Sequence, residues 1–224
     1  MQTLFFDFDG TLVDSETFHA ENWSAYLATY GVTLTADDFI TYYAGVTWPK
    51  IAKHFIEHYQ LNVDVMTITT EMEALTEAKI REQGIPALPG VDAILNRFAG
   101  KVPMAVVTGA PRDYVEGVLR QHGWFDLFEH VFSGYEVTNN KPAPDVYLHA
   151  CQVMKVAPHQ TVAVEDSRTG LQAAKNANIC CLLINPHPSL IEIDADHKFT
   201  SMVAATPLLD SLFKAKLVIE CSVK

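Results

Sequence analysis

Asp7 and Asp9 stand two residues apart, just after the apolar run Leu4-Phe5-Phe6 and just before Gly10. Two further acids, Glu165 and Asp166, follow a second apolar run, Thr161 to Val164. Three or four carboxylates brought together repel strongly. A bound cation is the simplest remedy, and an all-oxygen donor set favours Mg²⁺ over zinc or copper. The polar residues between these pairs suit a phosphoryl ligand. Thr108 offers a hydroxyl, and Gly109 lets a backbone N–H approach closely. Pro111 opens a helix, whose N-terminus attracts anions, and Lys141 supplies a compact positive charge. A carboxylate is ionised at neutral pH and can attack phosphorus without a general base. A second carboxyl two residues along can protonate the leaving oxygen and later take a proton from water.

Such a set works only if the chain gathers it. Leu4 to Phe8 reads as a buried strand ending in a loop. From about Ser15 to Gln83 the apolar residues take helical spacing: Phe18, Trp23, Tyr26, Leu27 and Tyr30, then Ile51, Phe55 and Ile56, then Met72, Leu75 and Ile80. After Pro89-Gly90 the pattern alternates. Strands are predicted at 102–107, 130–132, 161–164 and 179–184, and helices at 112–122, 144–154 and 167–177. Alternation of this kind implies an α/β fold, a Rossmann-like, doubly wound parallel sheet with helices on both faces. Sites in such sheets lie beyond the carboxyl ends of the strands, where Asp7, Asp9, Thr108, Lys141, Glu165 and Asp166 all fall. The expected organisation is a core of residues 1–14 and 85–224 with an all-helical insertion, 15–84. The tail 214–224 is apolar and receives no assignment.

The formal net charge of −11 disfavours extended contact with nucleic acid or anionic lipid. It leaves room for a small phosphorylated metabolite, since a metal and a few cations dominate one cleft. The cysteines Cys151, Cys180, Cys181 and Cys221 form neither a zinc pattern nor a disulfide framework, which points to a reducing, cytoplasmic setting. The N-terminus lacks the pattern of a signal peptide, and no stretch is long and apolar enough to span a membrane. No obligate protein partner is implied.

Four segments resemble the ordered signatures of the haloacid dehalogenase-like hydrolases. They are Asp7-Phe8-Asp9-Gly10-Thr11-Leu12-Val13-Asp14-Ser15, Val106-Val107-Thr108-Gly109, Lys141-Pro142-Ala143-Pro144-Asp145 and Val164-Glu165-Asp166-Ser167. The resemblance implies a Mg²⁺-dependent enzyme with Asp7 as nucleophile and Asp9 as general acid and base. It implies that Thr108 and Lys141 bind phosphate, with Phe8 and Gly109 beside them, and that Lys141 steadies Asp7. The metal is then held by Asp7, the carbonyl of Asp9 and Asp166, with Glu165 in contact or one step removed. The family usually has asparagine where this chain has Gly109, which leaves side-chain contacts from that position open. The helical insertion resembles a cap domain that closes over substrate.

Within it His19, Thr47 and Trp48 are candidate substrate contacts. Gly45-Val46-Thr47-Trp48 resembles the cap's specificity loop. His19 and Trp48 read equally well as packing residues, and Asp166 as a helix cap. Phosphomonoester hydrolysis is the leading expectation. The alternative is a mutase similar to β-phosphoglucomutase, whose cap loop is expected to carry arginine where Trp48 stands. A dehalogenase is disfavoured by Asp9, and a non-catalytic binding protein by the intact set of acids.

Overall fold

The computed structural model describes residues 1–43, 46–185 and 195–217. Gly45 of the expected specificity loop, Cys221 and the tail beyond residue 217 lie outside the described residues. Chain contacts divide the protein into two compact units, Met1–Val13 with Ala87–Lys224, and Asp14–Pro86.

In chain order the elements are β1 (Thr3–Phe6), α1 (Ser15–Ala28), α2 (Ala36–Tyr43), α3 (Trp48–Tyr59) and α4 (Val65–Gln83). There follow α5 (Val91–Phe98), β2 (Met104–Thr108), α6 (Arg112–Gln121), β3 (His130–Ser133) and α7 (Asp145–Val153). The chain continues through β4 (Thr161–Glu165), α8 (Arg168–Asn176), β5 (Cys180–Ile184), β6 (His197–Phe199) and α9 (Met202–Leu212).

The first unit is built on a six-stranded sheet of order β3-β2-β1-β4-β5-β6, with every pairing parallel. The first strands run outward from β1 on one side and the later ones from β4 on the other. The order therefore reverses between β1 and β4, which makes the crevice beyond their carboxyl ends the natural ligand position. Strands β1, β2 and β4 are buried along their whole length and mostly apolar, because both faces are covered. On one face Phe5, Val107, Ala163, Cys181 and Leu183 pack against Val146, Tyr147, Ala150, Leu171 and Ala174. The small alanines let helices approach the sheet closely, and dense packing of this kind holds the strands in place.

The sequence pattern anticipated five of the six strands. Strand β6 is three residues long and partly exposed, His197-Lys198-Phe199, so it carries no apolar period; its pairing with Leu182–Ile184 makes it a strand. Helices α5 and α9 also lie beyond the expected elements. The first is only eight residues long, and the second contains Pro207, a residue that ordinarily argues against a helix interior.

The second unit consists, among its described residues, of the four helices α1 to α4. Asp14 caps α1 by accepting from Thr17 N (3.2 Å), and Asp64 caps α4 by accepting from Thr67 N (2.9 Å). Their core is centred on Trp23, fully buried and stacked between Phe39 (5.8 Å) and Phe55 (6.5 Å). Ile51, Ile68 and Met72 complete it. Among the described residues no helix is long and apolar enough to cross a membrane, and Cys151, Cys180 and Cys181 carry free thiols.

Candidate active site

The turn after β1 folds back on one carbonyl. Phe8 O accepts from Leu12 N (2.8 Å) and Thr11 N (3.2 Å), and Gly10 N donates to Val13 O (2.9 Å). Gly10 has φ +73°, and a Cβ there would lie 2.2 Å from Asp166 Oδ2. Glycine therefore serves twice, admitting a left-handed backbone and letting Asp166 press against the loop that carries Asp7 and Asp9.

Asp7 sits at the carboxyl end of β1 with its amide donating to Val164 O (2.9 Å). Its Oδ1 accepts from Lys141 Nζ at 2.7 Å. The Lys141 side chain is only 6 % exposed, so this pair is largely withdrawn from water. The same ammonium donates to Glu165 Oε1 (2.6 Å) and to Val107 O (2.8 Å), which commits all three of its donors. Burial alone would lower the Lys141 pKa, but the charges of Asp7 and Glu165 outweigh it and hold the group above its usual range. Lys141 is consequently a fixed cation joining β1, β2 and β4. It precedes a cis peptide bond to Pro142.

Glu165 is fully buried at the end of β4. Its Oε1 also accepts from Tyr147 OH at 2.5 Å, whereas its Oε2 is buried with no hydrogen-bond partner. Burial, aided by the charge of Asp7 and opposed by Lys141, pushes its carboxyl up to about 7. Its Oε2 rests against Gly170 in the first turn of α8, where a Cβ would lie at 1.8 Å. Gly170→Ala is expected to cost about 1–3 kcal/mol, the range for forcing an extra methyl into a packed site. Urea unfolding reads this directly, and an unchanged midpoint would show that Glu165 has room to retreat.

Asp166 Oδ atoms complete the group. Asp7, Glu165 and Asp166 each place an oxygen within 4.8 Å of the others. Three carboxylates against one lysine leave net negative charge, and Glu165 Oε2 is an orphaned buried acceptor; both fit a hard divalent cation with oxygen ligands. Asp166 does not cap α8. Ser167 is the capping residue, accepting from Gly170 N (3.1 Å), while Asp166 O accepts from Asn185 Nδ2 (3.0 Å).

Asp9 Oδ1 accepts from Tyr114 OH at 2.9 Å. The phenol is held far above its ordinary pKa by burial first and then by the charge of Asp9, so it stays a proton donor. Thr108 Oγ1 accepts from Ala110 N (3.0 Å), closing the turn that leads into α6. Gly109 O accepts from Asn140 Nδ2 (3.1 Å), and Asn140 Oδ1 accepts from Lys141 N (2.8 Å). One asparagine thus ties the Thr108 loop to the Lys141 loop. The Phe8 side chain is wholly buried, so a ligand contact from this residue would come from its main chain.

The structure brings Asp7, Lys141, Glu165 and Asp166 into one cluster, with Asp9 anchored to Tyr114. His19, Thr47 and Trp48 belong to the other unit. There His19 and Trp48 meet edge to face at 5.5 Å and line a cavity of about 110 Å³ with Phe39, Ile40 and Tyr43. His19 Nδ1 is buried with no hydrogen-bond partner, and burial lowers its pKa. Thr47 precedes α3 and makes no side-chain capping bond. Sequence reasoning did not find Tyr114, Asn140, Tyr147 or Gly170. Tyr147, six residues after Lys141, lies on a helix face that the 3.6-residue period already turns inward, so that residue alone left a signal.

The site is thus a lysine-anchored aspartate and a carboxylate cluster at the switch point of a doubly wound parallel sheet. The sequence profile of the haloacid dehalogenase-like hydrolases matches residues 4–184. The chain belongs to that family. It is 34% identical over 176 residues to fructose-1-phosphate phosphatase YqaB of Escherichia coli (strain K12), covering 79% of this chain and 92% of that protein. It is 31% identical over 185 residues to a phosphoglycolate phosphatase of Psychrobacter arcticus, covering 80% of each. A HAD family hydrolase of Deinococcus radiodurans R1, solved with bound phosphate and sodium, superposes with a TM-score of 0.77 at 26% identity, covering 97% of both chains.

Proposed function

We propose that the chain is a Mg²⁺-dependent phosphomonoester phosphatase that hydrolyses a small phosphorylated metabolite, a sugar phosphate or a similar compound, through a phosphorylated Asp7. The observation that carries this reading is Asp7 itself, nearly buried at the sheet's switch point, paired at 2.7 Å with Lys141 and grouped with Glu165 and Asp166. The relatives named above are phosphatases of small phosphorylated compounds, which supports the same substrate class.

The chemistry then runs in two displacements. An Asp7 carboxylate oxygen attacks phosphorus, and the bond to the leaving oxygen breaks with its electron pair on that oxygen. Asp9 donates the proton that the leaving oxygen needs. Water next attacks the phosphorus of the acyl phosphate, Asp9 takes the water proton, and the bond to Asp7 breaks to release inorganic phosphate. Lys141 keeps Asp7 oriented for both attacks. The turn that leads from β2 into α6 is the part we assign to the phosphoryl oxygens, with the Gly109 N–H and the Thr108 hydroxyl as its donors, since Ala110 N is already bonded to Thr108 Oγ1. Asp7, Asp166, the carbonyl of Asp9 and Glu165 would hold Mg²⁺, which supplies charge neutralisation for the phosphoryl oxygens.

The test is phosphorus NMR on a panel of phosphorylated metabolites with Mg²⁺ present. The expected result is inorganic phosphate from the best substrate, with no isomeric sugar phosphate accumulating. Interconversion of two sugar phosphates with little free phosphate would replace the phosphatase reading by the mutase. Trp48, where such a mutase is expected to carry arginine, argues for hydrolysis, since an indole offers one neutral donor to a second phosphate.

A further inference from the structure

Tyr114 lies 105 residues from Asp9 in sequence and donates its phenolic proton to Asp9 Oδ1 at 2.9 Å. Its ring stands perpendicular to that of Phe8, at 5.7 Å between centroids and 90° between planes. Phe8 is completely buried and separates the two aspartates in sequence, so the surface against which the tyrosine leans is fixed. The tyrosine is also in the first turn of α6, which is clamped by Arg112. That guanidinium donates to Glu136 Oε2 (2.7 Å) and lies 3.6 Å from Glu116 Oε1. A bidentate guanidinium–carboxylate pair holds orientation as well as position. The hydroxyl is therefore aimed by a helix and a packed ring, the kind of support that keeps a reacting group within catalytic tolerance.

A carboxylic acid has two oxygens, and a general acid must carry its proton on the one that faces the leaving group. A phenol O–H donating to Oδ1 is compatible with the proton on Oδ2. With the proton on Oδ1 that oxygen becomes a poorer acceptor, so the bond from the phenol disfavours that form. We propose that Tyr114 is a positioning residue for Asp9, holding Oδ1 so that Oδ2 carries the proton given to the leaving oxygen and later taken from water. This rests on the reading of Asp9 as general acid and base. The proton balance is unchanged by Tyr114, which keeps its own proton throughout. Its role is to select the working oxygen and the rotamer that presents it.

The effect must then depend on how much the leaving group needs a proton. The experiment compares kcat/KM, which reports phosphoryl transfer to Asp7, for wild type and Tyr114→Phe on p-nitrophenyl phosphate and on phenyl phosphate. The nitrophenolate leaves readily unprotonated, whereas phenolate does so far less well. Loss of part of a general-acid contribution predicts a fall of about 3-fold or less for the first and on the order of 30-fold for the second. Phenylalanine keeps the ring packing on Phe8. Should that variant fail to fold by circular dichroism, Tyr114→Met, which also lacks the hydroxyl and adapts to the same gap, is measured in its place. Equal losses on both substrates, or no loss on either, overturn the inference while leaving the phosphatase reading intact. Wild-type protein that releases phosphate from neither ester nor any member of the metabolite panel overturns both.

Discussion

Asp7→Asn is expected to abolish turnover while leaving the fold intact. The amide is neutral and cannot form the acyl phosphate. The loss in kcat should reach at least about 10⁴-fold, the scale seen when a covalent nucleophile is removed. The same substitution deletes one partner of a buried cation, which ordinarily costs several kcal/mol. Here the cost is cushioned, because Lys141 keeps Glu165 at 2.6 Å and the Val107 carbonyl at 2.8 Å. Removing Asp7's charge also relieves repulsion with Glu165 and Asp166, whose oxygens lie within 4.8 Å. A near-native circular dichroism spectrum and unfolding midpoint should therefore accompany the loss of phosphate release. Full activity in this variant would sink the acyl-phosphate mechanism. Loss of activity together with loss of fold would move Asp7 from chemistry to structure.

Asp7, Asp9 and Asp166 were legible because they follow strands with apolar runs, Thr108 and Glu165 because they close such strands, and Lys141 because it stands in the connection after β3. A parallel sheet then brings all carboxyl ends to one edge, so element order alone specifies which loops meet. What the pattern could not supply is the set of contacts that aim these groups. Tyr114 reads as an ordinary amphipathic-helix residue until α6 is seen to place it on Asp9. Asn140 reads as loop polarity until it bridges Gly109 and Lys141. Gly170 reads as a weak point in a helix, yet its missing Cβ is where Glu165 Oε2 lies. Asp166 illustrates the opposite case. Its position before a helix invites a capping role, and Ser167 takes that role one residue later. For Tyr114 and Asn140 the deciding contact joins segments distant in sequence, which has no local period. Strand β6 escaped for the same reason, since its identity comes from β5 beside it.

Removal of divalent metal should be as damaging to turnover as removal of the nucleophile, and it should also mark the stability curve. With EDTA in excess, phosphate release is expected to fall to background and to return on addition of Mg²⁺. A ligand that binds only the folded state at about 100 times its dissociation constant adds roughly 2.7 kcal/mol. For a chain of this size that corresponds to a rise of about 5–10 °C in the unfolding midpoint. The increment should depend on pH in a definite direction. In metal-free protein the Glu165 carboxyl is pushed from its ordinary 4.5 up to about 7, by burial first and by Asp7's charge against the pull of Lys141. The native state then binds more protons than the unfolded state between those two values. Metal-free stability from this group is full below the lower value and declines as pH rises through the upper one. Metal binding favours the ionised carboxylates, so its stabilisation grows across the same interval. The Mg²⁺-induced rise in midpoint is therefore expected to be larger at pH 8 than at pH 5.5, measured by thermal scans with and without chelator. Undiminished turnover after exhaustive chelation would refute the metal assignment. A Mg²⁺ increment that shrinks as pH rises would remove Glu165 and its neighbours from the metal site.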